Sequence, residues 1–282
     1  MSKTLVVGVL ALQGAFREHL KLLKQAASEV KLDAGDWTFR EVRTPNDLEN
    51  CSALIIPGGE STTISLVAER SGLLEPLREF VKYDTLSTFL TSSLSFDRVR
   101  RRPVWGTCAG LILLAESANR TKKGGQDLIG GLDVRVNRNH FGRQMESFQA
   151  LTELPFLGEN ADAVTSNEIT GGTSFNGVFI RAPIVEKLLP AVEGVQEEEG
   201  SVEATVIAPS KKPTEPGYHV APVEVLATLQ NRSTPGQMAR DCGDIIAVRQ
   251  GNVFGTSFHP ELTDDPRIHV WWLRQLKTSF EQ

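Results

Sequence analysis

The chain of 282 residues carries 30 Lys and Arg against 35 Asp and Glu, a formal net charge of −5, with 40% hydrophobic residues. These proportions suit one large packed domain or two small ones. An acidic balance without basic blocks argues against nucleic acid as the main partner, and no apolar run approaches the ~20 residues of a membrane span.

The three cysteines, Cys51, Cys108 and Cys242, are too few for a disulfide framework and too scattered for a Cys-x-x-Cys metal site. A reducing, cytoplasmic compartment is the expectation, with no bound metal.

Residues 4–12 form an apolar run too short for a signal peptide with its flanks, and read as a buried first strand. Phe16, Leu20, Leu23 and Ala27 then recur at helical spacing. A second strand is expected over 37–42 and a third over 53–56, stopped by Pro57-Gly58-Gly59, with Ser61 or Thr62 placed to cap the next helix. Arg98, Arg100, Arg101 and Arg102 read as a short solvated basic cluster ahead of a strand at 104–105, which runs into a helix around Leu111. Buried strands alternating with helices predict an α/β fold: a doubly wound, mostly parallel sheet with helices on both faces.

In the second half, strands are expected at 133–136, 177–180, 223–226 and 245–248, the last turning at Gln250-Gly251-Asn252 into 253–256. Asp264-Asp265-Pro266 starts a final helix whose stripe is Ile268, Trp272, Leu276 and Phe280. Stretches 83–102, 155–173 and 196–243 fit none of this and are expected to be surface insertions in a single domain spanning 1–282.

Chemistry concentrates at Gly106-Thr107-Cys108-Ala109-Gly110, between a strand and a helix. This is the cysteine version of a nucleophile elbow, a strained turn that needs glycine where side chains would collide and that sets the reactive atom at the sheet edge. A helix start behind the sulfur favours the thiolate. Taken alone, the same residues also fit a small buried cysteine. Among His19, His140, His219, His259 and His269, only His259 lies just past a strand with a carboxylate two residues on, Glu261. In extended chain the two share a side, so Glu261 can orient the imidazole that serves Cys108. The loop from Pro57 to Thr63 follows a buried strand, and the backbone N–H of Gly59, with that of Ala109, is placed to meet a developing oxyanion.

Together these features resemble the class I, triad-type glutamine amidotransferases. The likeness narrows to the glutaminase subunits of pyridoxal 5′-phosphate synthase. It rests on Val9 to Ala15 with Arg17-Glu18-His19, on Pro57 to Thr63, on Arg138 to Gln144, on Gly177 to Pro183 and on Ser257 to Thr263. The resemblance implies hydrolysis of L-glutamine to glutamate and ammonia, with Cys108 as nucleophile, His259 as acid and base, and Glu261 orienting it. It implies glutamine held by Gly59, Glu60, Ser61, Arg138, Ile180 and Arg181, and neither metal nor organic cofactor. The ammonia would pass to a separate (β/α)₈-barrel synthase subunit for vitamin B6 synthesis, with no nucleic acid or membrane involved. Gln13-Gly14 and His19 would sit where that partner could bias the Gly58–Gly59 peptide; the plainer reading makes Gln13 and His19 solvated residues at a helix start. The elbow and His259 also allow another cysteine hydrolase, a γ-glutamyl hydrolase or peptidase, and the fold alone would allow a non-catalytic binding subunit. The insertions depart from the compact members of the family.

Overall fold

The structure, a computed structural model, describes residues 4–29, 37–82, 102–119, 126–138, 140, 147–158, 172–192, 195–202, 204–209, 221–230 and 243–281. In chain order the first half gives β1 (Leu5–Leu10), α1 (Phe16–Glu29), β2 (Trp37–Val42), α2 (Pro45–Glu49), β3 (Ala53–Ile56), α3 (Ser61–Arg70), α4 (Leu74–Lys82), β4 (Val104–Thr107) and α5 (Ala109–Leu114). Then come β5 (Ala115–Asn119), β6 (Leu132–Asn137), β7 (Phe148–Glu153), β8 (Ser174–Phe179), β9 (Ile184–Leu188), α6 (Glu197–Gly200) and β10 (Thr205–Ile207). The chain closes with β11 (Glu224–Leu229), β12 (Asp244–Gln250), β13 (Val253–Thr256) and α7 (Arg267–Glu281).

The strands β2-β1-β3-β4-β13 lie side by side and parallel. Beyond β13 the sheet continues through β12, β9, β6, β5 and β10, with β11 also paired to β12. Here β12, β9, β10 and β11 run antiparallel to their neighbours, and β7 pairs β8 in a separate hairpin.

Alternation along each buried strand divides the core in two. Val7, Val9, Ile55 and Trp105 face a layer holding Leu23 and Ala26 of α1 and Ile268, Trp272 and Leu273 of α7. Leu10, Leu54, Ile56 and Val104 face the opposite layer, with Leu48, Ile64, Leu77 and Leu111 from α2 to α5. Helices thus cover both faces, as the alternating pattern requires.

The structure differs from the sequence reading in specific places. The buried face of α1 is His19, Leu22, Leu23 and Ala26, while Phe16, Leu20 and Ala27 lie at its half-buried flank, because α7 packs against that side. The cap of α3 is Glu60 rather than Ser61 or Thr62: its carboxylate accepts the N–H groups of Thr62 and Thr63. The helix after the elbow ends at Leu114, and β5 follows without a loop. Arg102 does not stand in solvent; its guanidinium lies 4.8 Å over Phe80 and donates to the Cys51 carbonyl. Phe280 is 43% exposed, so the stripe of α7 ends at Leu276.

The capping box at Thr44 and Asp47 that starts α2 carries a readable signal, and α4, β5, β7, β9 and β10 join the expected elements. Within the expected insertions, Phe156 is buried in a 3-10 turn at Pro155–Leu157. Likewise Glu199 is buried against Arg135, Lys187 and Ser117, whose bonds hold its carboxyl below the usual range although burial opposes them. Arg98, Arg100, Arg101, Asn139, the segment from Phe141 to Gln144, His219 and Cys242 lie outside the described residues. No described helix is long and apolar enough to cross a membrane.

The elbow glycines pack as the strained turn demands. A Cβ on Gly110 would fall 2.0 Å from the Ile56 carbonyl oxygen, and one on Gly106 would fall 2.5 Å from the Gly110 carbonyl carbon. Neither neighbour is a side chain that can swing away. Gly110→Ala is therefore expected to push α5 off β3 and destabilise the protein by about 2 kcal/mol or more, read as a drop in the urea unfolding midpoint at unchanged slope.

Candidate active site

Four loops meet at the carboxyl ends of β1, β3, β4 and β13, because register aligns those ends: Ile56 pairs Gly106, and Thr107 pairs Thr256. That edge is where open α/β sheets bind ligands. Cys108 follows β4 with φ 45° and ψ −98°, in the left-handed region. Its N–H donates to the Thr256 carbonyl at 2.8 Å and its carbonyl accepts from Ile112 at 3.2 Å, so both neighbours hold the turn. Its sulfur is 4.0 Å from the Ile180 carbonyl oxygen. The next residue, Arg181, is exposed and also has φ 45°. Two strained residues therefore face one spot, a pattern concentrated at functional sites.

His259 is fixed by its own N–H, which donates to the Val178 carbonyl at 2.8 Å. Pro260 opens a 3-10 turn, Pro260–Leu262, so Glu261 returns to the ring around a turn and not along the extended segment that the i, i+2 spacing suggested. Its Oε1 lies 2.7 Å from His259 Nδ1, and the ring also hydrogen-bonds Cys108. Burial opposes charge on this ring, but the charges of Cys108 and Glu261 and the bonds to both outweigh it and raise its pKa well above the usual value.

Gly58 packs flat on the same ring: a Cβ there would meet His259 Cε1 at 2.2 Å. Its N–H donates to Thr107 Oγ1 at 2.8 Å. Its carbonyl accepts from Ala15 N–H at 3.0 Å, which turns the N–H of Gly59 away from α1 in a trans peptide. Gln13 Oε1 accepts the Glu60 N–H at 2.8 Å, and a Cβ on Gly59 would collide with that oxygen. Gln13 is thus tied into the loop, and His19, far from solvated, is fully buried.

Beside this lies a polar cluster. Arg138 is buried, and its Nη2 donates to Ser61 Oγ at 2.9 Å and Thr62 Oγ1 at 3.1 Å. Burial lowers the Arg138 pKa, while the Glu60 charge works the other way. Glu60 commits both oxygens to the start of α3, and its bonds from Thr63 and Thr62 hold its carboxyl low against the opposing effect of burial. Sequence reasoning missed Thr62, Thr107 and Gln126. The Gln126 carbonyl accepts from Thr62 Oγ1 at 3.3 Å, and its buried Nε2 has no partner. Nothing in the spacing of 62, 107 and 126 pairs them. The structure thus gathers Cys108, His259, Glu261, Gly59 and Ala109 with Ile180 at one point, and Glu60, Ser61 and Arg138 beside it, with Arg181 at the exposed rim. Among the described residues, no cluster of His, Cys, Asp and Glu could hold a metal ion.

Comparison with known proteins gives the family. The SNO glutamine amidotransferase family matches residues 9–220 and 217–278. The chain is 40% identical to "Probable pyridoxal 5′-phosphate synthase subunit PDX2" of Arabidopsis thaliana, over 97% of this chain and 86% of that protein. It is 39% identical to "Pyridoxal 5′-phosphate synthase subunit PdxT" of Streptomyces avermitilis, over 98% and 96% of the two chains. A solved structure described as "Crystal structure of glutamine amidotransferase" superposes with TM-score 0.56 at 34% identity, covering 96% of this chain and 98% of that one. The chain belongs to the SNO glutamine amidotransferase family.

Proposed function

We propose that this chain hydrolyses L-glutamine to glutamate and ammonia and delivers the ammonia to a separate synthase subunit that makes pyridoxal 5′-phosphate. The observation that carries the reading is the hydrogen-bonded series Cys108, His259, Glu261 at the carboxyl edge of the sheet, in a family of glutamine amidotransferases. The Cys108 sulfur attacks the side-chain amide carbon of glutamine while His259 carries the proton that the thiol has given up. The N–H groups of Gly59 and Ala109 stabilise the oxyanion. The tetrahedral adduct collapses as His259 returns the proton to the amide nitrogen, releasing ammonia and leaving a thioester. His259 then removes a proton from water, hydroxide adds to the thioester carbon, and glutamate leaves as the sulfur is reprotonated.

On this reading Arg138 and Ser61 meet the charged end of the substrate, with Glu60, Ile180 and Arg181 lining the same subsite. Glu60 acts from its place as cap of α3, balancing the Arg138 charge. The barrel form of the partner and a cytoplasmic setting belong to the same proposal. So does a single domain spanning 1–282, in which 83–102, 155–173 and 196–243 are insertions apart from Phe156, Glu199, β10 and β11, which the sheet and its core take up.

Three outcomes test it. Cys108→Ala should abolish glutamine hydrolysis while leaving the unfolding midpoint close to wild type and the synthase able to use free ammonium; loss of one triad member removes nearly all the rate. Ammonia release within about tenfold of wild type would remove Cys108 from its role.

Glu261→Gln removes one of the influences that raise the His259 pKa, leaving burial less opposed. The alkaline limb of kcat/KM, where His259 loses its proton, should then move to lower pH, and turnover should fall less than in His259→Ala. An alkaline limb that stays in place in a pH–rate series would break the link between the two residues.

The third concerns the partner. The bonds from Ala15 N–H to the Gly58 carbonyl and from Glu60 N–H to Gln13 Oε1 tie the oxyanion loop to the start of α1. A synthase docked there should raise glutamine turnover, and Gln13→Ala should blunt the rise. Losing one oxyanion donor costs about a hundredfold or more. Equal turnover with and without the partner, in a coupled glutamate assay, would exclude the gate.

A further inference from the structure

Glu261 uses only Oε1 on His259. Its other oxygen, Oε2, is buried without a hydrogen bond of good geometry, and the nearest cationic or N–H group recorded is His19 Nε2 at 3.4 Å. The same Nε2 lies 3.2 Å from Thr107 Oγ1, and His19 Nδ1 lies 3.0 Å from His269 Nε2. Both rings are 0% exposed and pack edgewise against Trp105. Burial pushes the His269 pKa down to about 3, and burial followed by the charges of His269 and His259 lowers that of His19 well below its usual value. Each ring is therefore neutral near neutral pH and carries one N–H.

Which nitrogen carries it follows from both ends of the series. His269 Nδ1 is buried with no partner. A buried N–H without an acceptor is rarer and less tolerated than a bare acceptor nitrogen, so the His269 proton sits on Nε2 and is donated to His19 Nδ1. His19 then carries its own proton on Nε2. The other end agrees: a bare Nε2 would turn a lone pair on the Glu261 carboxylate, whereas Nε2–H faces it favourably.

We propose that His19 is a positioning residue of the triad: its Nε2–H holds the free oxygen of Glu261 and the Thr107 hydroxyl in one arrangement. Thr107 Oγ1 also accepts the Gly58 N–H at 2.8 Å. One neutral ring on α1 thus sets both the carboxylate behind His259 and the glycine peptide that packs on the His259 ring. The proposal rests on reading His259 and Glu261 as base and orienter.

The test compares His19→Leu, which removes the donor, with His19→Gln, whose amide reaches the place of Nε2 and restores one. The His259 ring, faced by Cys108 and Glu261 and through Glu261 by His19 and His269, is titrated by NMR in each full-length variant. With His19→Leu the carboxylate is free to turn away, so His259 should titrate at lower pH. Its kcat for glutamine should drop about tenfold to a hundredfold, the loss typical when a supporting hydrogen bond behind a working imidazole is removed, with KM within about threefold. His19→Gln should recover most of both. Unchanged titration in His19→Leu overturns the proposal, as do equal losses in the Leu and Gln variants, which would mark a packing role. Should His19→Leu fail to fold, His19→Phe, which keeps an aromatic ring against Trp105 but carries no donor, takes its place beside His19→Gln. A lowered His259 titration in His19→Phe alone supports the proposal, and wild-type titration in both overturns it. The titration needs no substrate, so a wild-type chain that does not turn over glutamine counts against the glutaminase reading and leaves the His19 result standing.

Discussion

Everything at the working edge of this sheet depends on how closely α5 is drawn onto β3. With Gly110 against the Ile56 carbonyl and Gly106 against Gly110, the chain reverses from strand to helix with no side chain between them. The reversal leaves Cys108 in a conformation that a non-glycine residue rarely adopts, and the surrounding bonds must hold it there. Its N–H and carbonyl are both occupied, by β13 and α5. The strain is thus held by the stiffest part of the protein, the parallel strands β3, β4 and β13, whose side chains are buried throughout.

A second layer of order lies beneath the loops. Thr107, His19 and His269 come from β4, α1 and α7, and they form a polar seam in an otherwise apolar layer of Trp105, Phe254 and Trp272. Buried polar groups are tolerated where each finds a partner. Here the partners belong to the site itself. The first and last helices are joined by the seam that supports the triad, so the two ends of the chain must both be in place before the edge of the sheet is complete.

Much of this was legible in the sequence, and the rest has physical reasons for being hidden. The strands β1, β3 and β4 are apolar runs, the last two cut by Pro-Gly and Gly-x-Cys turns, and such runs have few other ways to be buried. The elbow and the His259–Glu261 pair are local, which is why they read correctly as neighbours even though a 3-10 turn replaces the expected extended chain. β5 was hidden because it follows α5 directly and carries Glu116, Ser117 and Asn119. Glu116 sits in the core only because Lys82 and the Gly131 N–H meet it there. His19 read as a surface residue because the partners that let it be buried, Thr107 and His269, lie far along the chain, the second of them 250 residues away. Arg138 was reached only through the family resemblance, because its side-chain partners Ser61 and Thr62 also lie far away along the chain.

The polar seam also ties the chemistry of the site to the endurance of the fold. His19 and His269 refuse protons that the unfolded chain accepts once pH falls below ~6.5, so acid draws the molecule toward the unfolded state, down to about 3 for His269. His259 works in the opposite sense. The folded protein binds its proton more tightly than the unfolded chain does, and that contribution is complete below ~6.5 and fades as pH rises through the raised folded value. The three rings therefore favour one interval, bounded below by the buried neutral pair and above by the charged ring. Within that interval the protonation pattern that steadies the fold is also the one in which His259 holds the proton it has to hand on.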